Sequence, residues 1–394
     1  MMNSLRPLVL CLLLCLVQVF FAENSLAAEA DPSFALDKEA LLKRIPAKKW
    51  RVAYIEGGHY TDYQNILVAT TRALADMGLI AKGDAPIDVA SDNTRPIWEW
   101  LASNAGGKHI EFVRDAYYSA NWEKEQRLAN KEALLKRIRE QGDIDMVLAF
   151  GTWAGIDMQD EKVIPVFSMS VTDAVQAGIA LSLDDSGQDN LHTQVDPDRY
   201  QRQLFVFHDL FKFKTLGIAY EDSPEGRSDI SLDALEKASA TLGIRLVRCT
   251  TALNVPPNQS FANLKQCLKS LSTTSDAVYL TTNSGMQWNR MKELLQPLID
   301  AGVPSFSQSG IEETKLGVLM SLSQNSFASE GQFGAYSIAQ VMAGTKPRLV
   351  PQVFDSPIGL VLNLEMARRI GWTPSFDVLL AVDAIYYDIK NAGE

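Results

Sequence analysis

Short apolar runs alternate along the chain with segments of helical period. Trp50 to Ile55 is the first run, closed by Glu56-Gly57-Gly58-His59-Tyr60. Ile66, Leu67, Ala69, Ala73, Leu74 and Met77 then recur at helix spacing up to Gly78. Runs that are apolar throughout, stopped by glycine and followed by an amphipathic helix, predict parallel strands covered on both faces. The same alternation predicts strands over 109–113, 145–150 and 163–169, with a helix over 122–141. Residues 80–108, which hold Trp98 and Trp100, exceed an ordinary crossover, and their length predicts an inserted subdomain or lid. The polar stretch 180–194, with Asp184-Asp185-Ser186-Gly187-Gln188-Asp189-Asn190, reads as a linker. It lacks the ligand spacing and bidentate Glu of a calcium loop. The rhythm then restarts, with strands over 215–220, 245–249, 277–281 and 305–307 and helices over 229–242, 261–271 and 288–301. The fold class expected is α/β, two Rossmann-like lobes each built on a parallel sheet.

Ligands of open parallel sheets gather beyond the carboxyl ends of the strands, where helix N-termini and loop amides converge. That rule selects His59 and Tyr60 after the first strand, Thr152 and Trp153 after Gly151, and Ser170, Thr172 and Asp173 after the 163–169 strand. In the second half it selects Tyr220 and the loops carrying Asn283 and Gln308. Hydroxyls, amides and aromatic faces suit a small neutral or zwitterionic ligand. Each residue also has a plainer role: Gly57-Gly58 as a tight turn, Trp153 as a core cap, Asp173 as a helix N-cap.

Composition narrows the function. The 394 residues are 46% hydrophobic and 22% charged, enough for two domains and too apolar for disorder. Lys and Arg number 37 against 48 Asp and Glu, a net charge of −11 that disfavours nucleic acid as a partner. No GxGxxG, GxxxxGK[ST], GxSxG, CxxC or HExxH occurs, so no cofactor, phosphate cradle, nucleophile elbow or metal site is expected, and the chain reads as a binding protein rather than an enzyme. Leu8 to Ala22 is apolar apart from Gln18 and leads into small residues at cleavage spacing, which predicts a signal peptide over residues 1–30 and a periplasmic destination. Cys249 and Cys267 would then be the cysteines of the exported chain. An oxidising compartment permits a bridge between them, and two free buried thiols fit the sequence equally.

At the strand-end loops the chain resembles the solute-binding proteins of ABC transporters, the family whose characterised members take up aromatic amino acids, built on the type I periplasmic-binding fold. The resemblance rests on Val163-Ile164-Pro165-Val166-Phe167 running into Val171-Thr172-Asp173-Ala174-Val175, with Ala174 where proline is usual. It rests also on Asp145 to Thr152, Asn190-Leu191-His192-Thr193, Thr215 to Tyr220, Phe333-Gly334 with Ala339 to Lys346, and Leu362-Asn363-Leu364 with Ala367 and Gly371. It implies two lobes joined by a three-segment hinge, with 48–185 plus 317–346 in the first and 186–316 plus 347–394 in the second. It places Thr152, Thr172 and Asp173 in the first-lobe half of the cleft and Tyr220, Asn283 and Gln308 in the second, with Gln324 facing it. The implied function is capture of a small ligand, most readily an amino acid, by hinge closure, and delivery by a monomer to a membrane permease. Asp173 would meet the ammonium, Thr152 the carboxylate, and Trp153, Tyr60 or Tyr220 a ring. A sensory protein that presents its closed form to a receptor would share this fold and cleft.

Overall fold

The computed structural model describes residues 32–87, 92–252, 255–324, 327–354 and 358–391. Residues 1–30, read above as a leader, lie outside this range. A short leading unit extends to Lys43 and the main unit runs from Arg44 onward; the helix Pro32–Arg44 ends at that boundary. Among the described residues no helix is long and apolar enough to cross a membrane, and no group of three or more His, Cys, Asp or Glu could hold a metal ion.

The main unit carries two sheets. The first consists of β1 (Trp50–Glu56), β2 (Ile110–Ser119), β3 (Met146–Phe150), β4 (Val166–Met169) and β5 (Leu191–Thr193), in spatial order β2-β1-β3-β4-β5 with every pairing parallel. The second consists of β6 (Thr215–Glu221), β7 (Arg245–Thr251), β8 (Ala277–Leu280), β9 (Ser305–Ser307), β10 (Met320–Gln324), β11 (Ile358–Asn363) and β12 (Val382–Tyr386). Its order is β12-β11-β10-β9-β8-β6-β7, and only the β10–β11 pairing is antiparallel. Counted within each sheet, the first five strands of both lobes follow the order 2-1-3-4-5, a doubly wound arrangement with its switch point beside the first strand.

β3 and β4 are buried along their whole length, as strands covered on both faces must be. One face of the first sheet packs Ile55, Val147, Ala149 and Val166 against Leu134, Ile138 and Met158. In the second lobe, Ile218, Tyr279 and Phe306 pack under the helix Arg199–Phe211, while Val278 and Leu280 pack under the helices Pro257–Thr274 and Met291–Ala301. A disulfide joins Cys249 on β7 to Cys267 on the helix Pro257–Thr274, which settles the choice the sequence left open.

Three expectations change. The 80–108 stretch is no separate lid: its helix Arg95–Trp100 buries Trp98 completely against Tyr54 and Phe112, and the Trp98 indole donates to the carbonyl of Val113. The supposed linker 180–194 contains β5, which pairs with β4, so the chain leaves the first lobe after Thr193 rather than at 186. Three residues, one of them a histidine, give no apolar run to detect. The return predicted at 317 comes later, because β10 belongs to the second sheet and its Met-Ser-Leu-Ser alternation hides that pairing. The chain returns with the helix Phe327–Met342, which lies on the first-lobe helix Thr61–Asp76. The contact is so close that a Cβ on Gly331 would sit 2.4 Å from the carbonyl carbon of Ala69.

Crossing segments after β5 and before β11 pair with each other. Val195 donates its amide to the carbonyl of Gln352 at 2.9 Å, and Phe354 donates to that of Val195 at 2.8 Å.

Candidate functional site

The carboxyl ends of both sheets meet at one cleft, and the lobes stand closed over it. Gly151 sits at the turn between β3 and the helix Gly151–Met158 with φ +83, and a Cβ there would overlap the Tyr63 hydroxyl at 1.8 Å. Only glycine brings this turn so near the helix Thr61–Asp76. Ser170, beyond β4, holds a left-handed φ of +55, a conformation a non-glycine residue adopts where its surroundings impose it.

Hydrogen bonds fasten the lobes together. Thr152 donates to an Asp229 carboxyl oxygen at 2.8 Å. Ser231 donates to the Asp173 carboxylate and Ser228 to the Asp173 carbonyl, both at 3.0 Å. Arg127 pairs with Asp157 at 2.8 Å within the first lobe and reaches Glu225 of the second at 4.0 Å. Tyr60 and Thr172 of the first lobe face Ser309 and Tyr200 of the second across the cavity.

Beside these contacts lies a cavity of about 50 Å³. Tyr60, Asp62, Ser170, Thr172 and Glu330 line it from the first lobe. Tyr200, Thr282, Gln308 and Ser309 line it from the second, with Gln194, Asp196, Arg199 and Phe354 at its hinge side. Typical ligand pockets hold roughly 300–1,000 Å³, so the cavity in this closed form is several times smaller than one.

The cavity is strongly charged for a buried place. Arg199 Nη2 lies 4.0 Å from Asp62 Oδ2, with 20% and 15% of the two side chains exposed. Arg202 pairs with Asp196 at 3.0 Å. Burial pushes the Asp62 carboxyl up to about 6, against the pull of Arg199. It pushes Glu330 up to about 8, again opposed by Arg199, and Asp229 up to about 7, opposed by the Thr152 hydrogen bond. Glu313, bonded by Ser307 at 2.6 Å, is raised by burial to about 7. Burial opposes ionisation of Arg199, yet the facing Tyr200, Asp62 and Glu330 hold its pKa above the ordinary value.

Of the residues selected from the sequence, Tyr60, Ser170, Thr172 and Gln308 line this cavity. Gln308 also donates to the Asp229 carbonyl at 3.0 Å. Thr152 and Asp173 lie in the cleft, but their side chains bond the opposite lobe, and Asp173 also caps the amide of Gln176 at 2.9 Å. Both were expected to meet an amino-acid ligand; in the closed form hydroxyl and carboxyl partners from the other lobe occupy them instead. Trp153 packs edge-on against Trp122 and beneath the Arg127 guanidinium, away from the cavity. Tyr220 belongs to the second-lobe core. Asn283 is turned inward, bonding Thr251 and the amide of Gly285 at 2.9 Å each. His59 is half-buried beside Trp122, whose indole donates to its carbonyl at 3.3 Å, and burial with the nearby Arg95 lowers its pKa. Gln324 ends β10, and its side chain lies outside the described residues, as does Asn325.

The sequence reading missed Asp62, Gln194, Asp196, Arg199 and Glu330. Asp62 follows the selected Tyr60 by two residues, and Asp196 and Arg199 follow the first crossing, so extending each loop by one helical turn would have found them. Glu330 lies in an otherwise small and apolar helix, and only burial by the other lobe distinguishes it from a solvent-facing acid.

Two doubly wound lobes, chain crossings between them and a polar cavity at their junction define a two-lobed binding protein of the type I periplasmic kind. Residues 108–384 match the family model described as ABC transporter substrate binding protein, and the chain belongs to that family. Solved structures agree in fold. An ABC domain from Streptococcus pneumonia in complex with L-Trp is 17% identical with a TM-score of 0.64, and a conserved domain protein from Vibrio cholerae is 20% identical with a TM-score of 0.63. The ligand-free, open form of a substrate-binding protein with adhesive properties from Clostridium difficile is 16% identical with a TM-score of 0.56. Each likeness covers 86% of this chain and 100% of the other. No curated protein matches the chain significantly.

Proposed function

We propose that the protein is the extracytoplasmic solute-binding component of an ABC importer. It captures a small ligand, an amino acid, between its lobes and delivers it as a monomer from the periplasm to a membrane permease; no bond is made or broken. The observation that carries this reading is the cleft itself. Residues from both lobes line one cavity, and the hydrogen bonds Thr152–Asp229 and Ser231–Asp173 form only when the lobes meet. Ligand therefore shifts an open–closed equilibrium, by no more than its preference for the closed form. Family membership supports the transport role, and the L-Trp complex of the streptococcal relative supports an amino acid as solute. The mechanism follows from the residues present. The open cleft offers charged and hydroxyl groups to a polar solute, closure removes water from around it, and the latch bonds add to the closed state without touching the solute. Calorimetric titration of the twenty amino acids into refolded, ligand-stripped protein tests the reading; heat from at least one is expected, and silence from all would overturn it.

A further inference from the structure

Gln194 stands at the first chain crossing with its backbone tied on both sides. Its own amide donates to the carbonyl of Ser168 at 3.0 Å, and the next amide, of Val195, donates to that of Gln352 at 2.9 Å. The residue lines the cavity and is only 6% exposed, yet neither its carboxamide oxygen nor its nitrogen has a hydrogen-bond partner. Among the described residues no other lining side chain buries a polar atom without a partner, and no other side chain carries two such atoms. Gln308, the second carboxamide of the lining, uses both ends. Its oxygen accepts from the Thr282 amide at 2.9 Å and its nitrogen donates to the Asp229 carbonyl at 3.0 Å. Gln308 is thus a brace between the lobes. Gln194 braces nothing, and a buried amide left unmet is costly enough to be rare.

We infer that Gln194 reads a primary carboxamide on the solute, so that the amino acid captured is one with an amide side chain. This rests on the reading of the cavity as the solute site and narrows it from amino acids at large to glutamine, asparagine and their kind. The unmet edge of Gln194 presents a donor and an acceptor side by side. A primary amide presents the same pair in reverse and closes two hydrogen bonds at once, and exchanging the two ends of either amide leaves the match intact. A carboxylate only accepts and leaves the Gln194 oxygen unmet; an ammonium only donates and leaves the nitrogen unmet. A trans peptide turns its N–H and C=O to opposite sides, so a peptide bond cannot close both. The zwitterionic head of an amino acid offers both kinds of group, but Asp62 and Arg199 line the same cavity, and charged groups bond one another more strongly than a neutral amide bonds either. The neutral edge is therefore matched to the neutral end of the solute.

Calorimetric titration of the full chain with L-glutamine and L-asparagine, beside L-glutamate, L-methionine and L-leucine, tests this. An amide probe is expected to bind about tenfold or more tightly than the others, because a solute without the group leaves the buried Gln194 edge unmet. Gln194→Met, close in shape but without either polar end, should abolish that preference and leave L-methionine bound at least as tightly as before. Gln194→Glu, which loses the donor, should weaken the amide probe by about fivefold or more, and both variants should keep the circular dichroism of the wild type. Three results would overturn the inference and leave the solute-binding reading standing. One is tightest binding by a probe without an amide. Another is a preference that survives both substitutions, as when only water meets the edge. The third is an equal loss for all five probes in Gln194→Met, as when the edge holds the head they share. Silence from all five probes would also overturn the inference, and silence from the remaining amino acids as well would overturn the solute-binding reading.

Discussion

The bond from Thr152 to Asp229 joins the two lobes, so replacing Thr152 by valine perturbs closure more than folding. Valine keeps the shape of threonine and removes only the donor at 2.8 Å, in a side chain that is 6% exposed. Asp229 titrates near 7 in the closed form, so the loss depends on pH. At pH 8 the bond is to a carboxylate and is worth about 2 kcal/mol, at pH 5 to a neutral acid and about 1 kcal/mol. At 1.4 kcal/mol per factor of ten, closed over open should fall roughly thirtyfold at pH 8 and roughly fivefold at pH 5. Fluorophores on cysteines placed at the exposed Lys136 and Lys237, one on each lobe, report the closed fraction by energy transfer. Cys249 and Cys267 are bridged to each other and do not compete for label. An equal closed fraction in wild type and Thr152→Val at pH 8, or a larger effect at pH 5 than at pH 8, would refute the reasoning.

Further outcomes concern the lobes themselves. Asp62, Asp229, Glu313 and Glu330 all titrate higher in the closed protein than in water, so opening or unfolding releases protons. Stability should therefore decline as pH rises from about 4 and level off above about 8, and the melting temperature at pH 5.5 should exceed that at pH 8.5. The disulfide spans 18 residues, worth about 3 kcal/mol by loop closure. Dithiothreitol should lower the denaturant midpoint of second-lobe probes and leave the first lobe unmoved. Trp98→Ala should cost about 3–5 kcal/mol in chemical denaturation, as for a fully buried aromatic, whereas a tryptophan in a detached lid would cost little.

Hydrophobic patterning discloses a strand when both of its faces are covered. Met146 to Phe150 and Ala277 to Leu280 are such runs, and the expected and observed strands nearly coincide. β2 was expected over 109–113, yet it continues through Arg114 and Asp115 to Ser119 along the sheet edge, where charged side chains reach water. The cleft obeys a different logic. Strand-end position brings Tyr60, Thr172 and Gln308 to the cavity lining, since topology fixes where those loops emerge. It could not show that Asp173 and Thr152 would be taken by the other lobe, nor that Glu330, one turn into a returning helix, would face Arg199. Those pairings depend on how the lobes meet, which no local period encodes.

The ladder at Val195 and Gln352–Phe354 constrains the motion as well as the fold. Two segments bonded in both directions cannot bend independently, because a turn in one drags the peptide planes of the other with it. The lobes are thus yoked to something close to a single axis, like a door on two pins. Under the closure proposed above, the two lobes would approach along that one arc.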